Sequence, residues 1–173
     1  MGTKPNLLRE DDMTNRLAAD QFEKIEFTGG TFLRANKKQF PSLRGLAVQQ
    51  LKLKPGAVRE PHSHPNAEQL DYCVTGHAQV GIVGPEGHKQ LLDLHEGDIS
   101  FVPRGYVHWT QNVGNAPLHF LVILSHELPE TIELSETLAG VPDKTLSASL
   151  GVPEKLLEGL PKKTVTIGSG SNM

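Results

Sequence analysis

The chain has 173 residues, 37% of them hydrophobic and 21% charged, which is typical of one soluble globular domain with a buried core. Its formal net charge is -3 and its basic residues are scattered, which excludes an extended nucleic-acid surface. Its apolar runs are too short to span a membrane. The single cysteine, Cys73, excludes an internal disulfide framework and fits a reducing compartment. We therefore expect a cytoplasmic protein, unless a signal peptide has been removed.

The first two thirds of the chain predict an arm followed by a β-barrel. Residues 1–28 are polar and irregular, which is typical of an N-terminal arm, with one short helix near 14–23. Residues 29–126 carry short apolar stretches separated by turns that contain glycine or proline, a pattern typical of an all-β sandwich or barrel. The candidate strands are 31–35, 44–53, 69–74, 77–83, 89–94, 98–102, 106–112 and 117–125.

The pattern becomes helical after the barrel. Residues 127–162 predict a C-terminal helical extension, with one helix at 129–140 that ends at a glycine. A second helix is expected at 152–162, because a proline stands near its first turn. Residues 163–173 end in a Gly/Ser stretch, which predicts a flexible tail.

Two motifs carry histidines at spacings that suit a metal ion. The first, "GAVREPHSHPNAEQLDYCVTG" (56–76), places His62 and His64 two positions apart, so on a strand both imidazoles face the same side. The second, "GDISFVPRGYVHWTQN" (97–112), places glycines and a proline ahead of His108. The alternative is that these histidines lie in turns or on the surface. The histidines without such a context, expected to be structural or surface residues, are His77, His88, His95, His119 and His126.

Together, the two motifs resemble the two signature motifs of the cupin superfamily. The resemblance implies a double-stranded β-helix, also called a jelly-roll barrel, with His62, His64 and His108 as metal ligands. It also implies a closed homodimer, or a homohexamer built as a trimer of dimers.

Gln69 or Glu68 is the candidate fourth ligand. In the cupin pattern, the acidic ligand is followed by six residues and a glycine, which here selects Gln69. Strand parity agrees, because an inward Gln69 also turns Asp71 inward and sends the large side chains outward. Glu68 is the alternative, because the family tolerates a shorter loop. The side chains that would face outward are Leu70, Tyr72 and Val74.

A glutamine ligand would change the charge of the site. Its amide oxygen is neutral, so three histidines and Gln69 leave the metal at its full formal charge, which favours anionic substrates and disfavours higher oxidation states. Mixed nitrogen and oxygen ligation suits Mn, Fe, Co, Ni or Zn.

Residues 29–162 resemble one domain of the oxalate decarboxylase type, and germins are similar single-domain proteins. The resemblance implies manganese and either cleavage of oxalate to formate and carbon dioxide or, as in germins, oxidation of oxalate. Arg59 stands where the family places an arginine that binds the oxalate carboxylate; the alternative is a surface salt bridge to Glu60 or another neighbour. The segment "SHELPETIEL" (125–134) corresponds to the family's lid but lacks its serine-glutamate-asparagine pattern, and Glu130 is a candidate proton donor.

Asp71 is the remaining candidate catalytic residue. An inward carboxylate two positions from a ligand is a candidate general base, or a partner that orients a metal-binding histidine. An outward register would instead make it a solvated aspartate. We therefore expect a metal-dependent enzyme that acts on a small carboxylate by lyase or decarboxylase chemistry. The alternatives are an iron-dependent dioxygenase or oxalate oxidase and a non-catalytic binding or storage protein.

Overall fold

A computed structural model describes residues 15–170, which form strands with two short α-helices. Both helices follow the last long strand: α1 is Leu134–Gly140 and α2 is Asp143–Leu150. The strands are β1 (Glu23–Phe27), β2 (Gly30–Ala35), β3 (Ala47–Leu53), β4 (Val58–Ser63), β5 (Gln69–Thr75), β6 (His77–Val83), β7 (Lys89–His95), β8 (Ile99–Val102), β9 (Val107–Asn112), β10 (Leu118–Leu124), β11 (Ile132–Glu133) and β12 (Ile167–Gly168).

Two antiparallel sheets face each other around the core. One has the order β1-β2-β3-β10-β5-β8, and the other has the order β11-β4-β9-β6-β7, with β12 also paired to β4. Buried positions alternate with exposed ones along most of β5 and with half-buried ones along β10, so each strand gives one face to the core. Large side chains such as Phe120 and Ile82 are fully buried between the sheets. The predicted all-β fold is confirmed.

Strand β4 was absent from the predicted strands because its sequence, Val-Arg-Glu-Pro-His-Ser, lacks an apolar alternation. The predicted arm also contains a strand, since β1 pairs with β2 from Glu23 to Phe27. The short helix expected near 14–23 is reduced to a 3-10 turn at Ala19–Gln21. Residues 1–14 of the arm lie outside the described residues.

The C-terminal third differs from its prediction in four places. The helix expected at 129–140 begins only at Leu134, after the short strand β11. The helix expected at 152–162 is only a 3-10 turn at Glu154–Leu157, whereas α2 was not predicted. The prediction of a flexible tail is wrong for Ile167 and Gly168, which pair with β4, and Ile167 is buried. A two-residue strand has no sequence period that would reveal it. Residues 171–173 lie outside the described residues.

One buried carboxylate fastens the C-terminal segments to β4. Glu60 accepts hydrogen bonds from the Ser135 amide and hydroxyl, both at 2.8 Å, and from the Thr166 amide at 2.5 Å. Thr166 has a φ of 58°, a conformation that β-branched residues rarely adopt, and its carbonyl accepts a bond from Arg59. The start of α1 and the residue that precedes β12 are therefore held against the strand that carries the first histidine motif.

An irregularity in β4 places an arginine on the same face as a histidine. Arg59 pairs with Thr110 and His62 pairs with His108, so three steps along β4 oppose two along β9. Such a β-bulge shifts the alternation of faces by one residue. Arg59 and His62 are consequently both buried, although they are three positions apart, an offset that places side chains on opposite faces of a regular strand.

The outer face of the β5–β8 pair carries an apolar patch, defined by Leu70 and Tyr72 on β5 and Ile99 and Phe101 on β8. Their exposed fractions range from 37% to 62%, and Leu70 is directly opposite Phe101. The sequence expectation that Leu70 and Tyr72 face outward is correct. Across residues 15–170, no helix has both the length and the apolar character needed to cross a membrane.

Candidate metal centre

Three buried histidines from the two motifs lie together inside the barrel. His62 on β4 pairs directly with His108 on β9, and His64 follows β4 immediately. The ring centroids are 4.1 Å apart for His62 and His108, 5.1 Å for His62 and His64, and 5.4 Å for His64 and His108. Each side chain offers a ring nitrogen within 4.8 Å of the other two. None of the three is a surface residue.

The backbone fixes which nitrogen of each histidine faces the centre of this group. Every Nδ1 lies beside a carbonyl oxygen, which can only accept, so Nδ1 carries the proton and Nε2 presents a lone pair. The Nδ1–oxygen distances are 2.7 Å for His62 to Glu60, 2.7 Å for His64 to Glu130, and 3.1 Å for His108 to Tyr106.

Gln69 supplies an oxygen to the same point. Its Oε1 lies 3.1 Å from Nε2 of His64 and 3.2 Å from Nε2 of His108. Its Nε2 donates to Oδ1 of Asp71 at 2.8 Å, and Oδ2 of Asp71 accepts from the Ser100 hydroxyl at 2.9 Å. The inward register predicted for Gln69 and Asp71 is therefore the one present, and Asp71 is not a solvated aspartate. Glu68, the alternative ligand, is exposed on the other face.

Burial keeps the three histidines of this group neutral. Burial, aided by Arg59 and the other two histidines, holds the pKa of His62 well below its ordinary value. Burial and the neighbouring His64 lower the pKa of His108 to about 3, and burial also lowers the pKa of His64. Unprotonated Nε2 lone pairs therefore face the lone pairs of the Gln69 oxygen with no proton between them. Lone pairs at this spacing repel one another unless a cation lies among them, so the donor set fits a metal ion.

Arg59 is buried near this centre and is held by a carboxylate that the sequence did not suggest. Its Nη1 donates to Oε2 of Glu133 at 2.5 Å and to the Thr166 carbonyl at 3.1 Å. The alternative of a surface salt bridge to Glu60 is wrong, because Arg59 is 4% exposed and Glu60 binds the C-terminal segments. The Arg59 guanidinium also lies over the Phe32 ring, 5.4 Å from its centroid. Among residues 15–170, Arg59 Nε is the buried side-chain polar atom left without a hydrogen-bond partner.

A small polar cavity adjoins Arg59 and Glu133. Its volume is about 160 Å³, room for about five water molecules. Burial raises the pKa of Glu133 above its ordinary value, although the hydrogen bond from Arg59 opposes that effect. The polar residues that line the cavity are Arg34, Gln49, Arg59, Thr131, Glu133 and Thr166, and Ile25, Phe27 and Phe32 form its apolar wall. The two arginines of this lining suit a small anion, although none of the four candidate metal ligands lines the cavity.

Glu130, the predicted proton donor, contributes its backbone to the site. Its carbonyl accepts from His64, and its amide donates to Asn66. The residue itself is exposed. The carboxylate that lines the cavity is Glu133, three residues further along. Glu133 was missed because its partner Arg59 lies 74 positions away, which no local pattern reveals.

A second group of candidate metal donors lies on the exposed surface of β6 and β7. His77 Nε2 lies 2.6 Å from Oδ1 of Asp93, and its ring stacks on that of His95 at 4.3 Å. Asp93 and His95 are exposed, and His77 is partly exposed, so solvent competes for all three groups. His77 and His95 are thus the surface residues expected from the sequence.

Comparison with known proteins places these features in a family. The cupin family model matches residues 15–156. Oxalate decarboxylase OxdC from Bacillus subtilis is 30% identical over 141 residues, which cover 82% of this chain and 37% of OxdC. Germin-like protein 3-7 from Oryza sativa subsp. japonica is 31% identical over 141 residues, covering 78% of this chain and 60% of that protein. The chain thus spans less than two thirds of either relative.

Solved structures agree with the sequence matches. A structure of the Bacillus subtilis oxalate decarboxylase, a protein with Mn(II) centres, superposes with a TM-score of 0.86 at 26% sequence identity. The superposition covers 97% of this chain and 44% of that one. The likeness therefore extends over almost the whole of the present chain and less than half of the enzyme.

Proposed function

The chain belongs to the cupin family, and from this premise we propose that it is a metal-dependent enzyme that acts on a small carboxylate by decarboxylase or related lyase chemistry. The observation that carries the proposal is the position of a buried arginine beside a group of unprotonated donors. Three Nε2 lone pairs and the Gln69 oxygen converge, and Arg59 lies on the same inward face as His62. Such a site binds a cation at one point and a carboxylate near it.

The proposed ligands are His62, His64, His108 and Gln69. Manganese is the proposed metal, because the structurally similar oxalate decarboxylase has Mn(II) centres; Fe, Zn, Ni and Co also suit this donor set. A divalent ion bound here would polarise a carboxylate oxygen of the substrate.

Residues that line the cavity are assigned substrate binding and proton transfer. Arg59 neutralises and orients the substrate carboxylate, and its unpartnered Nε leaves one more donor for it. We assign proton transfer to Glu133, because its carboxylate lines the cavity and its pKa is raised. Asp71 does not take this role, because both of its oxygens already accept hydrogen bonds. Glu130 does not take it either, since its backbone contacts His64 while the residue is exposed.

The direct test is turnover of oxalate by the manganese-loaded protein. We expect formate and carbon dioxide in equal amounts, measured by NMR and gas analysis, and no product from a His62→Ala/His108→Ala variant. Consumption of oxygen with formation of peroxide would instead establish the oxidase alternative. Binding of oxalate in calorimetry without any product would establish the binding-protein alternative.

We also propose that the chain forms a homodimer, or a homohexamer built from dimers, through the apolar patch on β5 and β8. Exposure of these four apolar side chains to water costs free energy, which a second copy of the chain would recover by covering them. Light scattering should give a mass at least twice the 18.9 kDa of one chain. Changing Ile99 and Phe101 to lysine should reduce that mass to one chain, and a wild-type protein of monomer mass would contradict the proposal.

A further inference from the structure

We propose that Asp71 is a positioning residue that supplies, from behind Gln69, the negative charge that this ligand lacks, and that holds its amide oxygen toward the metal. The inference rests on the proposed metal centre and goes beyond it, because it concerns a residue that does not touch the ion.

The orientation of the Gln69 amide follows from its two neighbours. An amide has one accepting end and one donating end. With Nε2 toward Asp71, the donor meets an acceptor at 2.8 Å, and Oε1 is left to face the histidines. The opposite orientation would place Oε1 against Oδ1 of Asp71, so that two acceptors would meet in a buried site. Asp71 therefore selects the orientation in which Gln69 can bind a cation.

Asp71 is itself held rigidly. It lies two positions from Gln69 on β5, so both side chains share one face of the strand. It is directly opposite Ser100 on β8, whose hydroxyl donates a hydrogen bond to the second carboxylate oxygen. With both oxygens engaged, the carboxylate has no contact with His62, His64 or His108 in the described hydrogen-bond network. The sequence expectation that Asp71 orients a metal-binding histidine is thus replaced by orientation of the glutamine.

The charge of the site changes accordingly. Three neutral histidines and a neutral amide would leave the positive charge of a divalent ion uncompensated, as the ligand types alone suggested. Asp71 is 1% exposed, so water does not screen its charge from the ion. Gln69 and Asp71 together carry one neutral donor oxygen and one negative charge, the total that a single glutamate ligand would bring. The site is therefore electrostatically close to one with three histidines and a glutamate.

The test exchanges the charge between the two positions. Asp71→Asn removes the charge and lets an amide donor face Gln69, so we expect Mn(II) affinity to fall about 10- to 100-fold, the usual effect of losing such a partner. Gln69→Glu/Asp71→Asn returns the charge to position 69, where the asparagine amide can donate to it. We expect this double variant to recover most of the lost affinity. Glu136→Gln, which removes an exposed carboxylate, is the matched control and should bind Mn(II) as the wild type does.

Affinity is measured by competition with a fluorescent chelator, and coordination by the absorption spectrum of the Co(II)-loaded protein. Circular dichroism of the metal-free variants checks the fold. If Asp71→Asn does not fold, Ser100→Ala provides the second variant, with a smaller loss of affinity in the same direction. Mn(II) binding by Asp71→Asn as tight as by the wild type, or a double variant no tighter than Asp71→Asn, would overturn this inference alone. A wild type that binds no metal would overturn the proposed metal centre as well.

Discussion

Replacing His62 and His108 with alanine is expected to abolish binding of the proposed metal ion, while replacing His77 and His95 should leave that binding in place. The first pair belongs to the buried centre, where neutral imidazoles present lone pairs in a fixed tautomer. The second pair is at least partly exposed to solvent. Loss of two of four buried ligands should weaken metal binding by at least about a thousandfold, since the ligands together provide most of the binding free energy.

Elemental analysis after extensive dialysis measures this difference. The wild type and His77→Ala/His95→Ala should each retain about one metal equivalent per chain, and His62→Ala/His108→Ala should retain none. Each double variant removes two histidine side chains, so the two variants control for each other. Retention of the metal by His62→Ala/His108→Ala and its loss from His77→Ala/His95→Ala would place the metal on the surface of β6 and β7 and contradict the proposed site.

The second large effect is expected from Glu133→Gln, which should raise the affinity for oxalate while turnover falls. In the wild type the charge of Arg59 is already balanced by the Glu133 carboxylate at 2.5 Å. A substrate carboxylate must therefore compete with Glu133 for Arg59. Glutamine keeps an acceptor oxygen but removes the competing charge, and oxalate should bind about tenfold more tightly, the low end for a charge-assisted hydrogen bond. Turnover should fall because the carboxylate proposed for proton transfer is gone.

Calorimetry and single-turnover assays separate these two effects. Glu136→Gln, on the exposed first turn of α1, removes a like charge nearby and should change neither quantity. Arg59→Met should abolish oxalate binding and cost about 3–5 kcal/mol of stability, because it leaves Glu133 buried and unpaired. If Glu133→Gln instead weakened oxalate binding, Glu133 would be part of the recognition site rather than a competitor for Arg59.

The parts of the molecule that the sequence predicted are those encoded by local pattern. Short apolar runs between glycine turns identified most of the barrel strands, because alternation along a strand determines what is buried. The same parity argument placed Gln69 inward, and the structure has it there. Applied once more, it could also have paired Gln69 with Asp71, since residues two positions apart share a face.

The parts that the sequence did not predict depend on contacts between distant residues. The bulge that brings Arg59 to the face of His62 arises from the register of β4 against β9. The partner of Arg59 comes from β11, after the barrel is complete. The two-residue strands β11 and β12 have no period of their own and exist because a neighbouring strand offers unpaired backbone groups.

The position of β11 and β12 along β4 also bears on the solubility of the protein. Strand β4 pairs with β9 on one side, and its other side is covered by β11 at His62–Ser63 and by β12 at Val58–Arg59. Without β11 and β12, β4 would present an open edge, the usual starting point for aggregation. A chain truncated before residue 164 would keep every proposed metal ligand and lose half of that protection. Insolubility of such a fragment would therefore report an exposed strand edge rather than a damaged metal centre.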